Sequence, residues 1–376
     1  MNEKKEILVF STIHRNTERF IPVLEALSKE YKIIIIRSGQ ISQNTKFESK
    51  NALYKNYFNA NKNLVFFDAI GISKTRDRDS LKFKRSIEAI VDKINFSNVA
   101  LAILDDSRCV NHAEYFYKKC NENNVTVFAN SHGNDDKIRY NSYFLDGYKK
   151  IYDYLFVFGE RDKLIFEKIS GNKIFIPAGI PSNDSLSKYQ HTRKYILFIV
   201  NFIDPSHSSS AAKSISKKII EQLNLSDLQK RLKLPIVFKV KHRINFDVNR
   251  EIEILKKEIG ETLDYKIVTY TDDENKLVMD SACVMSHGST MCFKTIQAGI
   301  PTVIIRNLGV VGNFNNYFAT ISPGENYFHY ITKSNEYEQK RKDFLKNTLS
   351  GALNFNSTQI YIDNLKRYMN EKNINQ

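Results

Sequence analysis

At 376 residues the chain is too long for one ordinary hydrophobic core, so two domains are expected. Hydrophobic residues make up 42% and charged residues 26%, which excludes a disordered chain, and no apolar run reaches the roughly eighteen residues of a membrane span. The net charge of +14 favours anionic partners such as phosphorylated substrates or anionic lipid headgroups, although an abundance of Lys unrelated to function would give the same balance.

The first half of the chain alternates between short apolar runs and segments with helical spacing of apolar residues. The predicted strand Lys32–Arg37 has the apolar run Ile33–Ile36 at its centre and turn residues after it, which is typical of a strand buried on both faces of a parallel sheet. Successive strand and helix segments predict right-handed βαβ crossovers. The predicted strands here are Ile7–Phe10, Lys32–Arg37, Leu64–Asp68, Val99–Leu104, Val125–Ala129, Leu155–Phe158 and Lys173–Pro177, with helices Thr17–Tyr31, Ser80–Ile94, Asn111–Asn121 and Arg161–Ile169.

A boundary is predicted after the last of these strands, where turn formers cluster and apolar periodicity lapses. We expect domains at 1–188 and 189–345, followed by a helical tail at 346–376. The second domain repeats the rhythm of the first, which predicts a second open parallel sheet. Its strands are Tyr195–Val200, Pro235–Val240, Lys266–Val268, Ala282–Met285 and Thr302–Ile305, and its helices are Ser210–Leu223, Val248–Ile259, Asp273–Met279 and Thr290–Ala298.

Ligands of open α/β sheets bind outside the carboxyl ends of the strands, so polar residues that follow a strand are the site candidates. Ser286, His287, Gly288, Ser289 and Thr290 lie between one strand and the next helix. Hydroxyls and free backbone N–H groups at a helix start would form a phosphate cradle. An ordinary helix cap with a glycine turn is the alternative interpretation.

A second candidate anion-binding group lies at the end of the strand that ends at Val240. Lys239, Lys241, His242 and Arg243 place several cationic groups in succession at this point. Such groups bind phosphate oxygens through charge-assisted hydrogen bonds, whereas a solvated basic turn is the alternative. Two anion-seeking strand ends in one sheet favour the functional interpretation.

The first domain offers a candidate catalytic pair, His132 and Asp135, just after a strand. Histidine is a suitable general base because its pKa lies near neutrality. His14 and Arg15 follow the first strand, and Asp105 follows another. In a parallel sheet all three loops share one edge, and that convergence makes them cleft candidates.

Several function classes lack support. The chain has no GxGxxG, Walker A, GxSxG or HExxH motif, which argues against dinucleotide redox chemistry, P-loop chemistry, serine hydrolysis and zincin activity. No nucleic-acid-binding signature accompanies the charge. The four cysteines lack CxxC spacing and are interpreted as reduced thiols of a cytoplasmic protein, so no metal site is expected.

The order of these motifs resembles the GT-B transferases of bacterial surface polysaccharides, especially CDP-glycerol glycerophosphotransferases and capsular transferases that use CMP-activated sugars. The resemblance covers roughly residues 125–310. It rests on His132-Gly133, Phe158-Gly159-Glu160, Gly179-Ile180-Pro181, Lys239 to His242, Ser289-Thr290 and Gly299-Ile300-Pro301. The chain departs from the family pattern at Arg243, where a proline is usual, and at Ser131, where an aromatic residue is frequent.

The resemblance implies two Rossmann-like parallel-sheet domains facing each other across a cleft. It also implies a metal-independent transferase that moves a glycosyl or glycerophosphoryl group from a CMP-, CDP- or UDP-linked donor to a polysaccharide or lipid-linked acceptor. His132 would be the base, and the second-domain motifs would hold the donor phosphates. We expect no other cofactor, no nucleic-acid partner, and a cytoplasmic location with peripheral association at the inner membrane.

The chain is also similar to UDP-N-acetylglucosamine 2-epimerases, which share the fold. Ser11 to Arg15 and Asp105 to Ser107 occupy similar loop positions. The acidic catalytic set of those enzymes is not clearly reproduced, and their second-domain Ser-Gly-Gly is replaced by His287-Gly288-Ser289. An epimerase-like enzyme acting on a nucleotide sugar therefore stays as the alternative.

Overall fold

The computed structural model describes residues 5–11, 14–37, 64–68, 81–105, 110–131, 151–170, 174–200, 216–240, 248–269, 273–287, 289–306, 314 and 316–374. The chain forms two compact units. Unit 1 comprises residues 1–184 together with 346–376, and unit 2 comprises residues 185–345. The segment from 346 onward, expected above to be a helical tail, is helical and forms part of unit 1.

Unit 1 contains a seven-stranded parallel sheet with the strand order β3-β2-β1-β4-β5-β6-β7. Residues 7–10 of β1 are fully buried and alternate between two apolar clusters, one on each face of the sheet. Burial on both faces explains why this strand is a continuous apolar run. The strands are β1 Glu6–Ser11, β2 Lys32–Arg37, β3 Leu64–Asp68, β4 Val99–Leu104, β5 Val127–Asn130, β6 Tyr154–Val157 and β7 Ile174–Pro177.

Unit 2 contains a six-stranded parallel sheet with the order β10-β9-β8-β11-β12-β13. Both sheets therefore follow the 3-2-1-4-5-6 order of doubly wound folds, in which the order reverses beside the first strand. The strands are β8 Tyr195–Val200, β9 Ile236–Val240, β10 Tyr265–Val268, β11 Ser281–Ser286, β12 Thr302–Ile305 and β13 Thr320–Ile321.

Helices connect the strands of both units. Val248–Ile259 shows the usual cause, because Glu251, Leu255 and Ile259 recur every four residues and form its buried face. The helices are α1 His14–Leu27, α2 Leu81–Val91, α3 Val110–Glu122, α4 Glu160–Ser170, α5 Lys217–Gln222, α6 Leu225–Leu232, α7 Val248–Ile259, α8 Glu274–Met279, α9 Met291–Gln297, α10 Phe328–Thr332, α11 Glu338–Thr348 and α12 Ser357–Ile374.

The sequence predictions differ from the structure at short elements and at helix ends. Helix α1 begins at His14, so His14 and Arg15 lie in its first turn and not in the loop expected after β1. The sequence analysis missed α6, α10 and β13. Helix α6 is flanked by Asn224 and Lys233, which both have left-handed backbone angles. Non-glycine residues seldom adopt these angles, so the residue types at the two ends did not indicate where the helix begins and ends.

The C-terminal helix α12 packs onto the unit 1 sheet, where Tyr361 and Leu365 join the apolar cluster of β1 and β5. Its start is capped by Asp184, whose carboxylate accepts from the backbone N–H groups of Ser357 at 3.2 Å and Thr358 at 2.6 Å. Burial raises the pKa of Asp184, and these hydrogen bonds oppose that shift. The end of the chain is thus part of the core of unit 1.

Among the described residues, no helix combines the length and apolar character that crossing a bilayer requires.

Candidate functional site

A pocket opens at the carboxyl edge of the unit 1 sheet. Its free volume, including the open mouth, is about 300 Å³. Polar groups come from the ends of β4 and β5 and from Arg19 of α1. Apolar groups come from the segments after β6 and β7 and from α1 and α12. The lining residues are Arg19, Phe20, Asp105, Asn130, Ser131, Phe158, Gly179, Ile180, Pro181 and Tyr361.

Strand alternation places Asn130 in this pocket. On β5, Val127 and Ala129 belong to the apolar cluster on one face of the sheet, whereas Phe128 belongs to the cluster on the other. Asn130 is two residues after Phe128, so it continues the Phe128 face. Ser131 follows directly, and its backbone N–H donates to the Phe156 carbonyl at 2.9 Å. The sheet thus fixes the backbone that carries both polar side chains.

Asn130 and Ser131 carry buried oxygen atoms without a protein partner in the part of the chain that the structure describes. The residues are only 8% and 6% exposed, and neither Asn130 Oδ1 nor Ser131 Oγ accepts or donates a hydrogen bond there. An unsatisfied buried polar atom costs about 1–3 kcal/mol. Such atoms in the lining of a pocket are candidates for ligand contact.

Asp105 is the acidic member of the pocket. It is 2% exposed, and its backbone N–H donates to the Phe10 carbonyl at 3.1 Å, which holds the end of β4 against β1. This position is the switch point of the strand order, where doubly wound folds bind ligands. The sequence analysis placed Asp105 at this edge, and the structure brings it together with Asn130 and Ser131.

The apolar wall of the pocket is aromatic. Tyr361 stacks on Phe156 with ring centroids 4.1 Å apart and meets Phe20 edge-on at 5.4 Å. Burial raises the pKa of Tyr361, while the positive charge of Arg19 opposes that rise. Tyr361 therefore stays a neutral phenol at physiological pH.

Gly179 lines the pocket in the segment between β7 and Asp184, the residue that caps α12. Its φ is +78°, and a Cβ atom there would lie 2.0 Å from the Ser350 carbonyl oxygen and 2.4 Å from Ser357 Oγ. Only glycine combines this backbone angle with this close approach. The Gly-Ile-Pro motif noted in the sequence thus positions the pocket wall.

The carboxyl edge of the unit 2 sheet carries the proposed phosphate cradle. Ser286 is fully buried, and its Oγ accepts from the Ser289 backbone N–H at 3.4 Å. Ser289 Oγ accepts from the Met291 N–H at 3.3 Å, so it caps the seven-residue helix α9, while Thr290 forms no side-chain cap. These contacts are those of an ordinary helix cap, the alternative interpretation named in the sequence analysis. Phosphate binding at Ser286, Ser289 and Thr290 stays a prediction.

His287 is enclosed in the same turn. It is fully buried, its ring meets Phe198 edge-on at 5.6 Å, and neither ring nitrogen has a partner among the described residues. Burial lowers the pKa of His287 to about 3. The side chain is neutral and has no exposed surface, which does not favour direct contact with a donor phosphate.

Lys239 donates hydrogen bonds to backbone carbonyls. Its partly buried Nζ donates to the Thr269 carbonyl at 2.8 Å and to the Val240 carbonyl at 3.4 Å. These bonds tie together the ends of β9 and β10. A donor-binding role for Lys239 stays a prediction.

The structure describes the remaining predicted site residues only in part or not at all. For His14 and Arg15 it describes the backbone only. No group of His, Cys, Asp or Glu able to hold a metal ion occurs among the described residues, and metal independence stays a prediction. The residues outside the described ranges are His132, Asp135, Lys241, His242, Arg243 and Gly288.

Sequence reasoning did not select Arg19, Asn130, Ser131 or Tyr361. The available signal was the pair Asn130-Ser131 at the end of an apolar strand, directly before His132-Gly133. Arg19 and Tyr361 come from helices far apart in the sequence, and only the fold brings them to one pocket.

Comparison with known proteins gives one family and one fold. The family model described as "putative O-antigen biosynthesis protein" matches residues 129–319, just over half of the chain. No curated protein matches the sequence.

Solved structures are similar along the whole chain. UDP-GlcNAc 2-epimerase from Neisseria meningitidis, bound to UDP-GlcNAc, is 12% identical with a TM-score of 0.63, over 96% of this chain and 100% of its own. The Rickettsia bellii UDP-N-acetylglucosamine 2-epimerase is 16% identical with a TM-score of 0.62, over 99% and 98%. A UDP-glucosyltransferase from Polygonum tinctorium is 10% identical with a TM-score of 0.56, over 96% and 98%. These similarities confirm the predicted GT-B fold class, with two Rossmann-like units.

Proposed function

This chain belongs to the O-antigen biosynthesis family whose model matches it, and on that basis we propose that it is a transferase of surface-polysaccharide synthesis. It would move a glycosyl or glycerophosphoryl group from a nucleotide-activated donor to a polysaccharide or lipid-linked acceptor. The observation that carries the proposal is the unit 1 pocket, which lies at the carboxyl edge of a doubly wound sheet and holds buried polar atoms without described partners.

The pocket leads in sequence to the proposed base. Ser131 lines the pocket, and His132 is the next residue. His132, assisted by Asp135, would accept the proton of the acceptor hydroxyl as that oxygen attacks the donor. His14, Arg15 and Asp105 are the further cleft residues of this proposal.

The second half of the proposed site holds the donor. Lys239, Lys241, His242, Arg243 and the turn from Ser286 to Thr290 would neutralise the donor phosphates as the nucleotide leaves. The donor would be CMP-, CDP- or UDP-linked. The meningococcal neighbour binds UDP-GlcNAc, which supports a nucleotide ligand for this fold.

The net charge of +14 supports a reaction at an anionic membrane surface. Basic side chains are attracted to the anionic inner leaflet, where lipid-linked acceptors reside. We propose a cytoplasmic protein that associates peripherally with that surface.

An epimerase acting on a nucleotide sugar is the second candidate. It is favoured by Asp105, a buried carboxylate in the pocket lining, because inverting a sugar carbon requires a base that removes the proton bound to that carbon on one face and an acid that returns a proton to the other face. An epimerase would convert its nucleotide sugar without any acceptor.

A nucleotide panel tests the proposal first. Thermal unfolding of the purified protein with CMP, CDP, UDP and GDP should show stabilisation by one of them, because a ligand stabilises the state that it binds. The matching nucleotide sugar is then incubated with and without lipid-linked acceptor. Consumption only with acceptor supports the transferase, and formation of an isomer without acceptor supports the epimerase.

His132→Ala should lower the turnover about 10²–10⁴-fold and leave nucleotide stabilisation unchanged, as expected for loss of a general base. His329→Gln, a partly exposed histidine of unit 2, is the control and should keep full activity. Absence of stabilisation by any nucleotide, together with full activity of His132→Ala, would contradict the proposal.

A further inference from the structure

We propose that Arg341 is a positioning residue for the donor, because its guanidinium holds helix α9 at the C-terminal end and thereby fixes the turn from Ser286 to Thr290 that directly precedes α9. The inference rests on the proposed function, which assigns donor phosphates to that turn. Arg341 itself would not touch the donor, since it lies on α11 and its contacts are at the opposite end of α9.

The C-terminal end of α9 has the hydrogen bonds of a Schellman motif, which explains the Gly-Ile-Pro motif of unit 2. Gly299 has a φ of +74°, and its backbone N–H donates to the Ile296 carbonyl at 3.1 Å. The Ile300 N–H donates to the Thr295 carbonyl at 3.0 Å. A left-handed glycine with these two bonds is a common helix end. Neither bond involves the carbonyl of Gln297, the last residue of α9.

Arg341 supplies further donors to this end of the helix. Its Nη1 donates to the Ile296 carbonyl at 2.8 Å and to the Gln297 carbonyl at 3.4 Å. Its Nε and Nη2 donate to the two carboxylate oxygens of Glu338 at 2.7 and 2.6 Å, so the guanidinium is held as a fork. A cation at the C-terminal end of a helix also stabilises the helix dipole. Arg341 therefore contributes both hydrogen bonds and charge to this end of α9.

Helix α9 is short and buried, so its position depends on its neighbours. Six of its seven residues are buried, and the exception is Lys294. Seven residues span only about 10 Å, and a helix of this length has little stability of its own. Phe344 of α11 stacks on Phe293 of α9, with ring centroids 6.4 Å apart. Because a short buried helix shifts as one body, a displacement at Arg341 reaches the turn at the other end.

The turn from Ser286 to Thr290 is tied to α9. The Ser289 carbonyl accepts from the Cys292 N–H at 2.9 Å. The side-chain bonds of the turn are longer: Ser289 Oγ accepts from the Met291 N–H at 3.3 Å, and Ser286 Oγ accepts from the Ser289 N–H at 3.4 Å. Bonds of this kind are usually about 2.9–3.0 Å long. The geometry of the turn therefore follows the position of α9.

Arg341→Met should weaken the binding of the donor's phosphates and not of its nucleoside. The ratio of the dissociation constants of nucleoside and nucleotide reports on the phosphate contacts alone. We expect this ratio to fall about tenfold, the equivalent of about one hydrogen bond to a charged group, while the nucleoside binds as it does to the wild type. Titrations use UDP with uridine and CDP with cytidine, below the melting temperature of the variant. A merely structural role would lower that temperature and leave the ratio unchanged.

A second measurement does not depend on any nucleotide. Cys292, in the first turn of α9, is fully buried, and so are Cys283 of β11 and Cys120 of unit 1. A thiol reagent labels such a side chain only when its surroundings open. Arg341→Met should speed the labelling of Cys292 about tenfold or more, while Cys283 and Cys120 keep their wild-type rates. Mass spectrometry of the labelled peptides follows each cysteine separately.

Two further variants complete the series. Lys342→Met is the matched control, because it removes a neighbouring cation of α11 that lies 3.6 Å from Glu338 Oε1, and it should behave as the wild type in both measurements. Arg341→Lys keeps the charge and loses the fork, so it should give intermediate values. Arg341→Lys also decides the question if Arg341→Met does not fold.

The inference is overturned if Cys292 keeps its wild-type labelling rate in Arg341→Met, or if Cys283 becomes labelled faster by the same factor. An unchanged nucleoside-to-nucleotide ratio overturns it as well and leaves the transferase proposal intact. If the wild-type protein binds no nucleotide, the transferase proposal fails, and the labelling of Cys292 alone decides whether Arg341 holds the turn.

Discussion

The carboxyl edges of the two sheets carry similar polar side chains that differ in what they contact. In unit 1, Asn130 Oδ1 and Ser131 Oγ line a pocket and have no partner among the described residues. In unit 2, Lys239 binds backbone carbonyls, and Ser286 and Ser289 bind backbone N–H groups. The ring nitrogens of His287 also lack described partners, but this side chain is fully buried and lines no described pocket. The strand order is the same in both units, so topology alone does not create this difference.

The contrast separates two uses of a polar residue at a strand end. A side chain satisfied by nearby backbone groups stabilises the turn, whereas an unsatisfied one in the lining of a pocket is a candidate for ligand contact at a cost in stability. The described part of unit 1 therefore has the features of a binding surface. In unit 2 the transferase proposal assigns donor binding to Lys241, His242 and Arg243 together with Lys239 and the turn from Ser286 to Thr290.

The largest effect is expected at the pocket wall of unit 1. Gly179→Ala would force a Cβ to within 2.0 Å of a backbone oxygen at a φ of +78°, so the free energy of unfolding should fall by about 4 kcal/mol. Gly260→Ala in unit 2 is the matched control, because the φ of Gly260 is +70° but an added Cβ would meet no atom of another part of the chain within 4 Å. The free energy of unfolding of this variant should fall by only about 1 kcal/mol. Urea unfolding measures both.

Equal losses in the two glycine variants would mean that backbone strain, and not the close approach of Ser350 and Ser357, governs Gly179. The pocket wall would then tolerate movement, and the contrast between the two edges would weaken.

The second test concerns His287 in unit 2. Its folded pKa of about 3 lies below the unfolded value of about 6.5, so the unfolded state binds more protons between these values and stability falls as the pH decreases through this range. Between pH 7.5 and pH 5 the loss should be about 2 kcal/mol.

His287→Phe should flatten this part of the pH profile while keeping the edge-on contact with Phe198. His329→Gln removes a partly exposed histidine of the same unit, and the acid-induced loss should persist in it. A profile of His287→Phe that falls as steeply as that of the wild type would show that His287 is not the group responsible.

The fold was predictable from the sequence because buried parallel strands leave an unambiguous signal. Strand interiors such as Ile33–Ile36 are apolar throughout, and helices such as α7 carry apolar residues at helical spacing. Strand β13 has two residues and is too short to show an alternation of apolar and polar side chains. The left-handed backbone angles at Asn224 and Lys233, which flank α6, could not be predicted from the types of these residues.

The candidate site was predictable only in location. The rule that ligands bind at carboxyl ends of strands selects Asp105, which does line the pocket. After β5 it led to His132 and not to the preceding residues Asn130 and Ser131, which line the pocket as well. It cannot tell that the Lys239 ammonium contacts Thr269 or that His287 is buried, since both depend on neighbours distant in sequence. The roles of His132, Asp135 and the residues from Lys241 to Arg243 stay predictions.

The smallest effect sharpens the comparison most directly, because it asks whether Lys239 belongs to the turn or to the donor. Lys239→Met keeps most of the side chain's length and removes its bonds to the Thr269 and Val240 carbonyls. If those bonds are its main contribution, urea unfolding should show a loss of about 1 kcal/mol. Stabilisation by the matching nucleotide should then stay unchanged. If Lys239 binds the donor phosphates, nucleotide stabilisation should instead fall markedly, and the polar residues of unit 2 would resemble those of unit 1 in serving a ligand.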